Sequence, residues 1–223
     1  MFKKLDNCSN VTDMRDLAKS RLPSAIFHYI DGAADDEVTY RRNTEAFESA
    51  DLIPNVLAGV ENIDMSVKVL GCKLNMPIFC SPTALQRLFH HQGERAVATA
   101  AEKYGTMFGL SSLGTVSLSE INRINHGPKM FQFYFHKDRG LNDAMLASAK
   151  EANFDILTLT VDTITGGNRE RDLKTGFTTP PKLTPKSMWS FATHPSWTLN
   201  YLFREKFTLP QLNDYVDEGS NIS

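Results

Sequence analysis

KMFQFYFHKDRGLNDAMLASAKEANFDILTLTVD, residues 129–162, changes its hydrophobic period twice. KMFQFYF (129–135) is a short apolar and aromatic run of strand character. RGLNDAMLASAKEANF (139–154) places Leu141, Met145 and Ala152 along one helical face. DILTLTVD (155–162) returns to strand character and ends on Asp162. The same rhythm runs upstream. MPIFCSPTA (76–84) reads as an apolar strand halted by Pro82, and ERAVATAAEKY (94–104) as a helix with Gly105 at its C′ position. TMFGLSS (106–112) is the next strand, and Ser117 with Glu120 forms a capping box for SLSEINRI.

Four β-α repeats with short connections imply a parallel sheet covered by helices. Such a sheet is an open doubly wound one or part of a (β/α)8 barrel. No G-x-G-x-x-G follows the first strand, which counts against a dinucleotide fold. Polar residues collect instead at the strand C-termini: Thr83, Ser111, Gln132, Tyr134, Thr160 and Asp162. A barrel builds its site there, so the expected class is α/β, a TIM (β/α)8 barrel.

Before the sheet, Thr12 is the expected N-cap of a helix carrying Met14, Leu17 and Ala18 and stopped by Pro23. SAIFHYIDGAADDE (24–37) reads as a second, amphipathic helical stretch, and residues 67–75 as a small hairpin turning at Gly71. After the sheet, residues 173–223 are rich in Pro, Thr and aromatics, close on DEGSNIS and show no fifth strand. A barrel needs eight units and typically about 250 residues. The expectation is therefore the N-terminal portion of one longer domain. It comprises a helical segment with hairpin (1–75), four barrel strands (76–162) and a long loop on the active-site side (163–223).

The 223 residues carry 24 Lys+Arg against 26 Asp+Glu, a balance that argues against an electrostatic nucleic-acid binder. No apolar run approaches the roughly 20 residues of a membrane span. Cys8, Cys72 and Cys80 are odd in number and lack CxxC spacing, which fits a reducing compartment. The expected location is cytoplasmic, with peripheral contact to the inner face of a membrane left open. His90 and His91 are adjacent and expected to point apart, and the other four histidines are scattered, so no metal site is expected. Trp189 and Trp197 are read first as local core, with a lid, a partner face or lipid contact as the alternatives.

TLTVDTITGGNRERD (158–172) leaves the sheet through Asp162 and presents Arg169 and Arg171 beyond Gly166-Gly167. Arginine offers a rigid fork that matches a carboxylate or phosphate. One of the two arginines could face a ligand while the other lies outward. The alternative is a solvated charged loop with local ion pairs. The lysine and hydroxyl of a phosphate loop are absent. Ser111, Gln132 and Thr160 either orient a small ligand or satisfy strand-end backbone groups.

YIDGAADDE, SPTALQ, LSSL, FQFY and LTVDT…GNRERDL, in this order, resemble the FMN-dependent L-2-hydroxy acid dehydrogenase/oxidase family. Its members include L-lactate dehydrogenases and glycolate oxidases, and the resemblance runs from the first helix to the TPPKLT segment. It implies an FMN-binding TIM barrel with FMN at the strand C-termini. Pro82, Thr83 and Ala84 correspond to the backbone segment beside the reactive face of the flavin, and Ser111, Gln132 and Thr160 to its hydrogen-bonding partners. Tyr29 and Arg169 correspond to the residues that hold the substrate carboxylate. Tyr134 matches the substrate-facing tyrosine and Asp162 the aspartate that orients the catalytic histidine; Arg171 has a structural place. The implied reaction oxidises a small L-2-hydroxy acid to the 2-oxo acid, with electrons passing on to a quinone, a cytochrome or oxygen. Ala84 and Leu113 resemble the small and aliphatic pocket residues of lactate-oxidising members, which favours L-lactate over glycolate. A homo-oligomer is implied for the full-length enzyme. The family's flavin-binding lysine, S-N-H-G-x-R segment and glycine-rich phosphate site do not occur in residues 1–223. The expectation is therefore a chain without turnover on its own. The competing readings are a non-catalytic half-barrel that serves assembly, and an oxidase that uses oxygen.

Overall fold

The strand–helix–strand reading of residues 129–162 holds in the computed structural model, which describes residues 4–59, 61–162, 165–177, 184–206 and 208–212. The chain begins with helices α1 (Val11–Arg21), α2 (Ser24–Asp31) and α3 (Val38–Glu48). A hairpin follows, β1 (Val67–Val69) and β2 (Cys72–Leu74), then helices α4 (Gln86–Phe89) and α5 (Glu94–Tyr104). Strand and helix next alternate as β3 (Phe108–Ser111), α6 (Leu118–Ile124), β4 (Lys129–Tyr134), α7 (Arg139–Glu151) and β5 (Ile156–Thr160). Helices α8 (Glu170–Thr175), α9 (Pro185–Thr193) and α10 (Pro195–Phe203) come last. These elements form two compact units. The helical unit joins Met1–Glu61 to Thr165–Arg204, and the sheet unit joins Asn62–Ile164 to Glu205–Ser223.

In the sheet unit, β3, β4 and β5 pair in parallel in that order, with Ser111 beside Gln132 and Tyr134 beside Thr160. The strands alternate their side chains between two faces. Phe131 and Phe133 turn to one face of β4 and meet Leu141, Met145 and Ala149 of α7 with Ala98 and Ala101 of α5. Gln132 turns to the other face, between Ser111 and Thr160. Leu209 and Leu212 return to the same core. The hairpin closes the N-terminal end of the strands, where Leu74, Met107 and Met130 pack with Val67, Val69 and Ile156. Its turn sits at Leu70 and Gly71, as the sequence predicts, and Gly105 is the left-handed C-cap of α5.

Several expectations are corrected. MPIFCSPTA is not a strand: it makes one parallel bridge, Cys80 to Phe108, closed by Cys80 N–H to the Met107 carbonyl at 3.0 Å and Gly109 N–H to the Cys80 carbonyl at 2.8 Å. Pro77 and Pro82 bring no N–H to a ladder. The segment still lies tightly on β3, because a Cβ at Gly109 would stand 2.8 Å from the Pro82 nitrogen and 2.9 Å from the Cys80 carbonyl oxygen. Among the described residues the parallel sheet thus has three strands where four are expected. The N-cap of α1 is Asn10, whose side chain accepts from Asp13 N–H at 2.8 Å, rather than Thr12. The second helical stretch ends at Asp31, and α3 follows unforeseen. Ser117 caps α6 by accepting from Glu120 N–H, but the Glu120 carboxylate pairs with Arg95 at 2.5 Å, so only half of the expected capping box is described.

The stretch expected as a loop carries α8, α9 and α10, with Thr184 and Ser187 forming a capping box at α9. Residues 178–183 of the Pro- and Thr-rich run and the terminal DEGSNIS lie outside the described residues. His90 and His91 do not point apart: their rings stand 4.3 Å from each other, because His90 caps the end of α4 instead of continuing a regular element. Trp189 is 73% exposed and so not core, whereas Trp197 stacks between Phe191 and Tyr201.

Candidate active site

Three of the candidate residues form one hydrogen-bonded row at the C-terminal end of the sheet. Ser111 Oγ donates to Gln132 Oε1 at 3.0 Å, and Gln132 Nε2 donates to Thr160 Oγ1 at 2.7 Å. Leu113 N–H donates to Ser111 Oγ at 3.1 Å, which leaves that hydroxyl its proton to give. The amide of Gln132 is thereby held in one orientation across the ends of three strands. Ser111 and Gln132 are buried, Tyr134 at the end of β4 is half-buried, and Asp162 is exposed two residues beyond β5.

Thr83 and Ala84 sit in a loop of well-defined conformation. Gln86 Nε2 donates to Thr83 Oγ1 at 2.8 Å, and Leu85 N–H donates to the Leu113 carbonyl at 3.1 Å. Leu85 itself takes a left-handed conformation at φ 59°, which an L side chain adopts only where its surroundings hold it.

The helical unit brings Tyr29 and Arg169 together although they lie 140 positions apart. The Arg169 guanidinium lies 5.0 Å from the centre of the Tyr29 ring, and Phe177 stacks on that ring at 4.2 Å. Arg169 Nε donates to Asp172 Oδ2 at 2.6 Å, and Nη2 donates to the Tyr29 carbonyl. A guanidinium held over an aromatic ring by two hydrogen bonds is fixed in place, and its planar fork matches a carboxylate. Asp172 and Phe177 were not among the sequence candidates. Asp172 could have been suspected from its place three residues after Arg169, but nothing local in the sequence marks Phe177 as a neighbour of Tyr29.

Arg171 has a different task. It donates to Asp31 Oδ2 at 3.0 Å and to the Glu37 carboxylate, while Arg15 Nε reaches Asp31 Oδ1 at 2.5 Å. Burial opposes ionisation of Asp31, yet the hydrogen bond and charge of Arg15, then those of Arg171, outweigh it and hold the carboxyl below the usual range. Glu37 is lowered by the Ala33 N–H and then, against a smaller burial effect, by Arg171. The two arginines are thus differently placed, one over the Tyr29 ring and one tied to Asp31 and Glu37.

The charge and geometry of the sheet row fit a flavin. Its groups are neutral hydroxyls and an amide, alternating donor and acceptor, and so suited to the carbonyl and N–H edge of a pyrimidine rather than to a phosphate. Among the described residues no group of three or more His, Cys, Asp or Glu side chains could hold a metal ion, and no helix is long and apolar enough to cross a membrane.

Comparison with known proteins assigns the class. Residues 18–221 match the model of the FMN-dependent dehydrogenase family, and the chain belongs to that family, whose members depend on FMN and share the (β/α)8 barrel. Glycolate oxidase 1 of rice (Oryza sativa subsp. indica) is 41% identical over 179 residues, 80% of this chain and 48% of the relative. Glycolate oxidase of spinach (Spinacia oleracea) is 40% identical over the same length. Among solved structures, that of the monotopic membrane protein (S)-mandelate dehydrogenase is similar with a TM-score of 0.86 and 31% identity. It covers 92% of this chain and 55% of the other. A lactate oxidase from Pediococcus acidilactici gives 0.74 and 32%, over 83% of this chain and 52% of its own. The chain spans about half the length of the curated relatives it matches.

Proposed function

We propose that this chain provides the flavin edge and the carboxylate grip for oxidation of an L-2-hydroxy acid, L-lactate first, to the 2-oxo acid. The hydrogen-bonded row Ser111–Gln132–Thr160 carries the reading, because it presents neutral donors and acceptors at the strand ends where the family places FMN. When bound, FMN accepts the two electrons that leave the substrate. Gln132, set by Ser111 and Thr160, takes the pyrimidine edge, and the Pro82-Thr83-Ala84 backbone lies beside the reactive face. By their correspondence with the family's residues, Arg169 and Tyr29 take the substrate carboxylate, and Tyr134 is the substrate-facing tyrosine. Asp162 stabilises a histidine in its protonated form, which residues 1–223 do not contain in the S-N-H-G-x-R setting. Ala84 and Leu113 resemble the small and aliphatic residues of lactate-oxidising members and support L-lactate, while the glycolate oxidase relatives keep glycolate and the oxygen-using oxidase as the runner-up.

Titration of the purified chain with FMN, followed by flavin fluorescence, tests this. Saturable quenching is expected in the wild type and its loss in Gln132→Leu, which keeps the volume but removes both amide bonds. Anaerobic additions of L-lactate, glycolate and (S)-mandelate should then perturb the bound flavin at the lowest concentration for L-lactate, by about tenfold. A folded chain that takes up no FMN would move the reading to a non-catalytic half-barrel. Preference for glycolate would move it to an oxidase of that acid.

A second reading concerns location. α9 and α10 expose Met188, Trp189, Leu199, Leu202 and Phe203, the last at 80%, and no Asp or Glu occurs from Thr184 to Phe203. An aromatic, acid-free helix pair suits contact with a lipid surface, and the mandelate dehydrogenase neighbour is described as monotopic. We infer peripheral attachment, at the inner face of a membrane. Co-sedimentation with anionic vesicles should fall at least about fivefold in the double variant Trp189→Ser, Phe203→Ser. Equal sedimentation of the two proteins would refute the attachment.

A further inference from the structure

Glu94 opens α5 with no exposed surface, and its carboxylate is the meeting point of two loops. Thr115 N–H donates to Oε1 at 2.8 Å, Thr115 Oγ1 donates to Oε2 at 2.5 Å, and Gln86 N–H reaches Oε1 at 3.4 Å. The network continues on both sides. Arg87 N–H donates to Thr115 Oγ1 at 3.2 Å, and Gln86 passes the connection to Thr83 through its amide. The helix can come this close because residue 93 is glycine. It takes φ 48°, and a Cβ there would stand 2.8 Å from the Arg87 backbone nitrogen. A buried carboxylate is tolerable here on physical grounds, since N–H and O–H donors surround it and the positive end of α5 favours its charge.

We propose that Glu94 is a positioning residue of the flavin site. It clamps the 83–87 loop, which carries Thr83 and Ala84, to the 113–115 turn that follows Ser111. The proposal rests on the flavin reading given above. Its logic is geometric. Left-handed Leu85 is held from one side by the Leu113 carbonyl, and the residue after it, Gln86, is held by Glu94 from the other. Ser111 is tied to the same turn through Leu113 N–H. Glu94 therefore sets the register between the backbone proposed for the reactive face of the ring and the hydroxyl proposed for its edge. It touches neither flavin nor substrate. A strand end positions Ser111, and the clamp adds to the Leu85–Leu113 and Arg87–Thr115 hydrogen bonds in relating it to Thr83 and Ala84.

Hydrogen exchange on the intact chain separates a clamp from an ordinary core residue. In Glu94→Ala, amide exchange at 83–87 and 113–116 should speed up by about tenfold or more, the size of one charge-assisted hydrogen bond, while β4 and α7 stay within about twofold. Glu94→Gln should restore protection, because its carbonyl oxygen still accepts from Thr115 N–H. Thr115→Val removes the hydroxyl link with a small change of volume and should loosen the same two segments, which keeps the test open if the alanine variant fails to fold. In parallel, the FMN concentration for half-maximal quenching should rise about tenfold in Thr115→Val and return near wild type in Glu94→Gln. Unchanged exchange at the two loops, or loosening spread evenly through the sheet unit, would overturn the clamp. Local loosening in the variants, with no FMN uptake by the wild-type chain, would overturn the flavin role and leave the loop connection as structure alone.

Discussion

Phe131→Ala is expected to lower the unfolding free energy of the sheet unit by about 4 kcal/mol. The side chain has no exposed surface, stands at the centre of the middle strand and meets Phe154 edge-on at 6.2 Å between ring centres. Its neighbours come from three directions: Leu110 of β3, Ala98 of α5, and Leu141 and Met145 of α7. These belong to backbone elements fixed by their own hydrogen bonds, so the space left by the ring closes only in part, and the cavity adds to the lost transfer free energy. Against a total of about 5–15 kcal/mol for a domain, a loss of that size removes between about a quarter and most of the stability. Phe135, one residue beyond β4, is the control. It is 55% exposed and lies 4.7 Å below the Arg139 guanidinium, so its truncation should change stability by less than about 1 kcal/mol. Urea midpoints by circular dichroism measure both. A Phe131→Ala loss no greater than that of Phe135→Ala would mean that the sheet face does not carry the core.

Arg169→Ala should raise the L-lactate concentration that half-saturates the flavin perturbation by about 100-fold, because truncating one partner of a desolvated charge pair costs about 2–5 kcal/mol. Lysine should recover only a minor part, since it lacks the planar fork that can bond Asp172, the Tyr29 carbonyl and a carboxylate together. Tyr29→Phe retains the ring between Arg169 and Phe177 and so isolates the hydroxyl, with an expected rise of about tenfold. Arg171→Ala makes the opposite case. It leaves Asp31 with Arg15 alone and Glu37 without its guanidinium, so stability should fall with little change in the lactate response. Equal effects of Arg169→Ala and Arg171→Ala on lactate would remove the distinction between grip and scaffold.

The contrast between the two arginines shows what could be read along the chain and what could not. Their motif was visible as a charged run after a glycine pair, but its division of labour depends on Tyr29, Asp31 and Glu37, more than 130 positions away. The sheet was legible for the reverse reason. Apolar period, glycine C-caps and a serine N-cap are local signals, and Phe108–Ser111, Lys129–Tyr134 and Ile156–Thr160 fall inside the expected runs. The run 76–84 misled because apolar character alone does not make a strand: Ile78 is 68% exposed, and two prolines break the donor pattern. α3 escaped notice because none of its residues is buried, which leaves no apolar stripe to betray the helix. Along the chain Glu94 reads only as part of a helix. A carboxylate directly after a glycine looks like an ordinary N-terminal charge until Thr115 and Gln86 are brought onto it by the fold.

The interleaving of the two units bears on the order in which the protein can be made. α1, α2 and α3 leave the ribosome first, yet Arg169, Arg171 and Ser190, which bind Tyr29, Asp31, Glu37 and Ser24, are translated only after the whole stretch from Asn62 to Ile164. At about 5–20 residues per second that interval lasts roughly 5–20 s. The strands of the parallel sheet are all translated in that interval, while the earlier helices wait with Leu17, Ile26 and Phe27 in need of cover. Translation speed and chaperone access between residues 62 and 171 are therefore a lever on the yield of folded protein, acting through a unit whose two ends are born far apart in time.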